Sequence, residues 1–361
     1  MKYVATLFIL FFLMSCTSHE NFIQIDVEKD IKKEVVLKLS QVIDSLEYIR
    51  LETDSDCLIG DNFKIALLDD EILTFTKKKC LLFDRKTGEF VREILHRGKD
   101  KDGYMFTMAG KGMVANEEER YIFLKEWNGN LSTYFIDTRT RKEIPYQSFG
   151  SIAYVNDSVL AATLLNVDGK QKNRMLLYEN YVCKDSIPVN QTFELKSNAI
   201  SLLDNEDMFY RSAGKTYYKH IMDDTVYQVT NNALVPSFAF YSGDKSPKIE
   251  LKEHQERMYE LMKEMYVVSR IMETHSFIFY EITYRQEKYD MVYDKKSGKG
   301  GRLKSGLIND LDNEMDVWPD HLTAKGEYVF IVNPSLLNES LLNKHRLRED
   351  DNPMIVVGHA S

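Results

Sequence analysis

The chain has 361 residues, with 47 basic and 56 acidic side chains and a net charge of −9. There is no basic excess to neutralise phosphates, which excludes nucleic acid as the main partner. The 21 Tyr and 19 Phe, against only 7 Pro, favour β-strands, because these side chains cover pleated, half-buried surfaces well.

At the start of the chain, Lys2 precedes a nearly unbroken apolar run from Tyr3 to Met14. The run suits the core of a signal peptide, residues 1–15, and is short for a membrane span. It ends in Leu13-Met14-Ser15-Cys16, which resembles the lipobox of bacterial lipoproteins. The resemblance implies that Cys16 is acylated on its thiol and becomes the new N-terminus. A lipid bilayer is then the expected partner, each buried CH₂ contributing about 0.8 kcal/mol. Residues 16–46 are expected to form a tether and N-terminal segment, and residues 47–361 the folded body. Cys57, Cys80 and Cys183 remain beyond the lipobox. A Cys57–Cys80 disulfide and buried free thiols both stay open, since sequence cannot place their Cβ atoms.

Short alternating apolar runs follow, among them "EILTFT", "CLLFD", "STYFID", "RMLLYE", "TVYQVT", "YDMVYD" and "MIVVG". Turn residues separate them. A phrase recurs: Phe83, Ile136 and Tyr293 each precede Asp, a variable residue, Arg or Lys, and then Thr or Ser. Asp can accept from the amides of such a turn, and Gly88 and Gly298 supply a positive φ. Looser copies centre on Tyr178, Tyr227 and Val356. The six anchors are spaced by roughly 40–65 residues, against the ~40–50 of a propeller blade. The two longest intervals hold helical inserts. One has Met258, Leu261, Met262 and Met265 on one stripe, and the other starts near Pro334. The repeat therefore predicts the third strand and following turn of a four-stranded blade, seen six times. The fold class is all-β, a six-bladed β-propeller with two short helical inserts. The last anchor leaves no room for a fourth strand. An N-terminal segment, either Asn21–Val27 or Glu47–Glu52, is expected to complete that blade.

With the lipobox, the stretches Glu47–Thr53, Leu81–Lys99, Asp223–Pro236, Leu307–Pro319 and Glu349–Val357 are similar to bacterial six-bladed β-propeller lipoproteins, distantly like NHL-repeat propellers. That family is largely without assigned activity. The resemblance implies fold and an exported, lipid-anchored location, facing the periplasm or on the cell surface. After "HRGK" this chain has "DKDGYMF", which departs from the family's turn.

Enzyme signatures are missing from the sequence: the region around His254 lacks a second His one helical turn away, and no Gly-x-Ser-x-Gly elbow exists. Candidate ligand-binding residues are Trp318, Asp320 and His321 in "VWPDH", together with Arg97 and Tyr104 in the connection between two blades. Trp stacks on sugar rings, carboxylates bond hydroxyls, and an Arg at the axial mouth could hold a carboxylate or phosphate. Trp127 is expected to pack at a strand end. Asp310, Asp312, Glu314 and Asp316 alternate, and in an extended segment could share one side and offer oxygen ligands to Ca²⁺. The leading expectation is a membrane-tethered binding module, with no cofactor, for a glycan, peptide or envelope protein. The alternatives are a Ca²⁺-dependent propeller hydrolase or lactonase and a structural envelope scaffold. Cys16→Ala is expected to move the protein from the membrane to the soluble fraction in a lipidation assay. Unchanged partition would contradict the lipobox.

Overall fold

The structure is a computed structural model. It describes residues 22–360 apart from 61–62, 77, 106–113, 119, 127–129, 145–148, 196–199, 202 and 204–205. The expected signal peptide, Cys16 and Trp127 lie outside the described residues. Among the described residues the strands form six sheets of four or five strands. Each sheet is a blade of a six-bladed β-propeller, as the spacing of the repeat predicts.

The third strands are Lys79–Asp84, Leu131–Phe135, Asn173–Glu179, Thr225–Val229, Glu287–Asp294 and Met354–His359. Five of the six anchors fall within them. Ile136 lies one residue past its strand. The turn bond from Gly88 N to Asp84 O is repeated from Gly298 N to Asp294 O and from Arg139 N to Phe135 O. In blade 2 the residue equivalent to Phe83 is therefore Tyr134, and Arg139 takes the positive φ that glycine supplies elsewhere. The expected turn chemistry is present in blades 1 and 5. Asp84 accepts from the amides of Lys86 and Thr87, and Asp294 from those of Lys296 and Ser297.

Apolar alternation on both faces of every sheet leaves no single centre to fill. The core is six seams, one between each pair of neighbouring blades. In the seam of blades 6 and 1, for example, Ile49, Ile355 and Val357 meet Ile72, Leu81 and Phe83. Burying each such side chain contributes about 1.5–3 kcal/mol before entropy is counted. First strands pack on one another near the axis, Phe149–Asn156 against Asp207–Ser212 and the latter against Val267–Glu273.

Both N-terminal candidates for closure are strands, with different roles. Ser45–Arg50 pairs antiparallel with Met354–His359 and completes blade 6. Ile23–Asp26 instead adds a fifth, parallel strand to blade 4, and Glu34–Val35 does the same for blade 5. The segment before Glu47 is thus not a free tether from residue 23 onward. Ile25, Val27 and Ile31 enter one seam, and Leu37, Leu39, Val42 and Ile43 the next.

The helical inserts are shorter than their stripes suggest. Met258–Lys263 is a helix of six residues, where Met258 and Met262 pack against Phe193, Met222 and Ile249. Its flank is pinned by Lys252, whose Nζ donates to both carboxylate oxygens of Glu206 at 2.9 Å. The second insert is a short turn at Pro334–Leu336 followed by a helix at Glu339–His345. Cys57 and Cys80 are buried free thiols, and Cys183 is free and exposed.

Gly88 has φ +75°, and a Cβ there would stand 2.0 Å from the carbonyl oxygen of Arg50 on the closing strand. Gly88→Ala is expected to destabilise by about 2–5 kcal/mol, from backbone conformation and overpacking together. Gly60→Ala is the control. Its φ is also positive, but a Cβ would meet nothing within 4 Å, so the expected cost is only about 1–2 kcal/mol. Denaturant unfolding of the two variants checks the difference.

Candidate functional site

The inner ends of the first strands carry charge. Asp320 precedes and His321 opens the first strand of blade 6, Arg270 lies on that of blade 5 and Lys64 on that of blade 1. Arg270 Nη1 stands 3.4 Å from Asp320 Oδ1, and His321 Nδ1 stands 3.6 Å from Asp320 Oδ2. Lys64 is exposed and Asp320 half-buried, and protein crowds both. That crowding holds the Lys64 ammonium below its usual range, against the pull of Asp320. Burial works to raise Asp320, but His321, Arg270 and Lys64 outweigh it and hold the carboxyl low.

Glu117, on the turn after the first strand of blade 2, joins three blades. Its carboxylate accepts from Leu67 N of blade 1 at 3.2 Å and from Ala324 N of blade 6 at 3.1 Å. His321 Nε2 lies 3.9 Å away, buried and without a hydrogen-bond partner. Burial pushes the Glu117 carboxyl above the ordinary carboxylate range, although His321 and the two amides oppose it. Next to it Glu118 faces Arg211 of blade 4 at 3.9 Å, and the Arg211 guanidinium lies over the Tyr154 ring of blade 3. Ion pairs extend the network outward on the same face, with Arg120 held by Asp70, Glu71 and Asp137 and Arg85 by Glu327.

At this mouth a groove of about 570 Å³ runs between the first hairpins of blades 4, 5 and 6 and the segment 40–44. Gln41, Arg211, Ser212, Ser276, Phe277 and Lys325 are among its walls. Hydroxyl, amide and charged groups dominate. Such a wall suits a polar ligand bound by hydrogen bonds around a few apolar contacts.

The structure separates the residues that sequence brought together. Asp320 and His321 are axial. Trp318, two residues earlier, is in the seam of blades 5 and 6, its ring edge-on to Phe279 at 5.9 Å. Arg97 ends the fourth strand of blade 1, three strands out from the first strand and so away from the axis. Tyr104 is a core residue, 1% exposed, its hydroxyl donating to Thr76 O. The four acidic residues do not share a side, because 310–314 is a turn and not an extended segment. Asp310 accepts from Ser40, Asp312 from Tyr48 and Asn309, Glu314 from Lys344 and His345, and Asp316 from Ser305. Among the described residues no three His, Cys, Asp or Glu side chains converge to hold a metal. Arg211, Glu117, Glu118, Lys64 and Arg270 were not anticipated from sequence. Their signal is their place on first strands or the turns that follow, which is visible only once the blade register is known.

Six sheets around a charged axis define a β-propeller of the six-bladed class. The chain belongs to the DUF4934 family, a domain of unknown function, whose model matches residues 22–359. It is similar in fold to a Bacteroides fragilis NCTC 9343 protein named for an expected export. The two share 16% identity with a TM-score of 0.68, over 94% of this chain and 99% of that one. A Bacteroides thetaiotaomicron VPI-5482 protein of unknown function is 10% identical, with a TM-score of 0.46, over 87% of this chain and 75% of that one. No curated protein matches in sequence.

Glu117 sets a pH test. A carboxyl whose folded pKa is raised stabilises the fold fully below its unfolded pKa, and that stability fades as pH rises through the folded value. The stability of wild type relative to Glu117→Gln should therefore fall as pH climbs out of the ordinary carboxylate range. Urea unfolding across that interval checks it. A constant gap would contradict the assignment.

Proposed function

We propose that this protein is an exported, lipid-anchored propeller that captures a polar ligand of the bacterial envelope, a glycan or a peptide, at its axial mouth. The observation that carries this reading is the groove. Three blades and the segment 40–44 converge on it, and hydroxyl, amide and charged groups stand in its walls beside apolar ones such as Val42, Phe277 and Leu322. Apolar packing alone would not need the polar groups. Support for export comes from the apolar run Tyr3–Met14 and its Leu-Met-Ser-Cys end, and from the name of the Bacteroides fragilis protein of the same fold. Lipid at Cys16 would leave only a few residues between the bilayer and the paired strand Ile23–Asp26, so the body would stay near the membrane. The binding reading is preferred to a calcium-assisted hydrolase because the acidic loop's carboxylates are committed to separate donors.

The test is a block of the groove. Ser276 lies exposed on the blade 5 hairpin, so Ser276→Trp should fill the mouth without disturbing a seam. Wild type is expected to bind members of an envelope glycan and peptide panel, and Ser276→Trp to lose roughly tenfold or more in affinity at unchanged melting temperature. Equal binding by both proteins would remove the groove as the site.

A further inference from the structure

Arg211 is placed at a cost that packing does not explain. It sits near the end of the first strand of blade 4, Asp207–Ser212, and lines the groove. Its guanidinium stands 4.1 Å from the centre of the Tyr154 ring. Nη2 is 3.4 Å from Gly214 O and 3.9 Å from Glu118 Oε2, both long contacts for a charged donor. Nε and Nη1 are buried and have no hydrogen-bond partner. Unpaired buried donors on a cation are expensive, and a Leu or Met would cover the tyrosine ring without them. About a fifth of the side chain, 21%, remains exposed.

The neighbouring cations are already committed. Lys295 Nζ donates to Glu273 Oε1 at 2.6 Å and to Thr274 O at 2.7 Å, and Lys325 Nζ to Asp69 Oδ1 at 2.5 Å. Among the groove's described cations Arg211 has the weakest acceptors. A planar guanidinium fixed on an aromatic face matches a carboxylate. Glu117 and Glu118 close by would repel a phosphate dianion more strongly than a single carboxylate. The walls around it carry the hydroxyls of Ser212 and Ser276 and the amide of Gln41, with the carboxylates of Asp44 and of Glu273, the latter held by Lys295 and Tyr210. They are hairpin turns and not a free strand edge that a peptide could extend.

Resting on the binding role proposed above, we infer that Arg211 seats the carboxylate of an acidic saccharide, a uronic acid. Tyr154 fixes the plane of the guanidinium, and the groove's hydroxyl and amide groups bond the sugar hydroxyls.

Calorimetric titration tests this with trisaccharides of galacturonate, glucuronate and mannuronate, their methyl esters and an acidic hexapeptide. Wild type, Arg211→Gln, Arg211→Lys and Ser276→Trp are compared, with thermal melting of each as the folding control. The expected result is that wild type binds at least one acid roughly tenfold or more tighter than its ester. Arg211→Gln removes that preference, and Arg211→Lys, which keeps charge but loses the planar donor set, retains only part of it. Equal affinity for acid and ester, or an unchanged preference in Arg211→Gln, overturns the carboxylate assignment, as does binding of the peptide alone or of no probe. The groove is tested separately: it survives loss of the acid preference if Ser276→Trp still blocks ester binding, and falls if Ser276→Trp changes nothing.

Discussion

The structure depends on one backbone pairing between distant parts of the chain. Ser45–Arg50 lies antiparallel to Met354–His359, with Ser45 opposite His359 and Arg50 opposite Met354. Without it blade 6 would present an open edge and the ring would have two ends. Closure covers that edge with a paired strand and joins the two ends, at the cost of ordering a loop of some three hundred residues. That cost grows only slowly with length, about 0.6 kcal/mol per doubling. Several contacts secure the joint. Asn352, 2% exposed, accepts from Ile59 N and donates to Glu52 O and Cys57 O. Glu52 N donates to Gly88 O, so the turn of the first repeat rests on the closing strand. The segment 23–43 is a strap laid across blades 4 and 5 before the chain enters blade 6.

The candidate site inherits this constraint. Its groups come from all six blades, and no single blade holds a recognisable part of it. Glu117 touches backbone of blades 1 and 6, on either side of the closing seam. A charged network of this kind costs desolvation energy. It is tolerated because six rigid sheets hold each carboxylate against its donors. The same rigidity fixes Arg211 on Tyr154, so a ligand would meet an arranged surface and not one it must order.

Much of the fold was legible in the sequence, because a blade's third strand and turn have local chemistry: an apolar run, an Asp that accepts from turn amides, and a Gly or Thr at a set distance. Blade 2 shows the limit, since its turn uses Arg139 where Gly88 and Gly298 stand, and the apparent anchor slips from Tyr134 to Ile136. The strap was less legible. "NFIQIDV" reads equally well as a closing strand or an added edge strand, and parallel pairing leaves no turn signal. The site was only partly legible. The short motif that drew attention to Asp320 and His321 does place them at the axis, but it carries Trp318 into a seam. Arg97 and Tyr104 were misplaced for a geometric reason: the connection between blades begins at the rim, whereas the axis is lined by first strands. The acidic run failed because alternation implies a shared side only in an extended chain. Asn309 folds the loop back, accepting from the amides of Leu311 and Asp312. Arg211 and Glu117 carry no local motif at all.

Closure can be measured directly by native-state amide hydrogen exchange. If the ring is sealed by the two terminal strands, the paired amides of residues 45–50 and 354–359 should exchange together, as slowly as those in the central strands of blade 1, through global unfolding alone. If residues 45–50 exchanged orders of magnitude faster than their partners and blade 1, the ring would open at this seam in the native state. A site assembled across it could not then be the preformed surface described here.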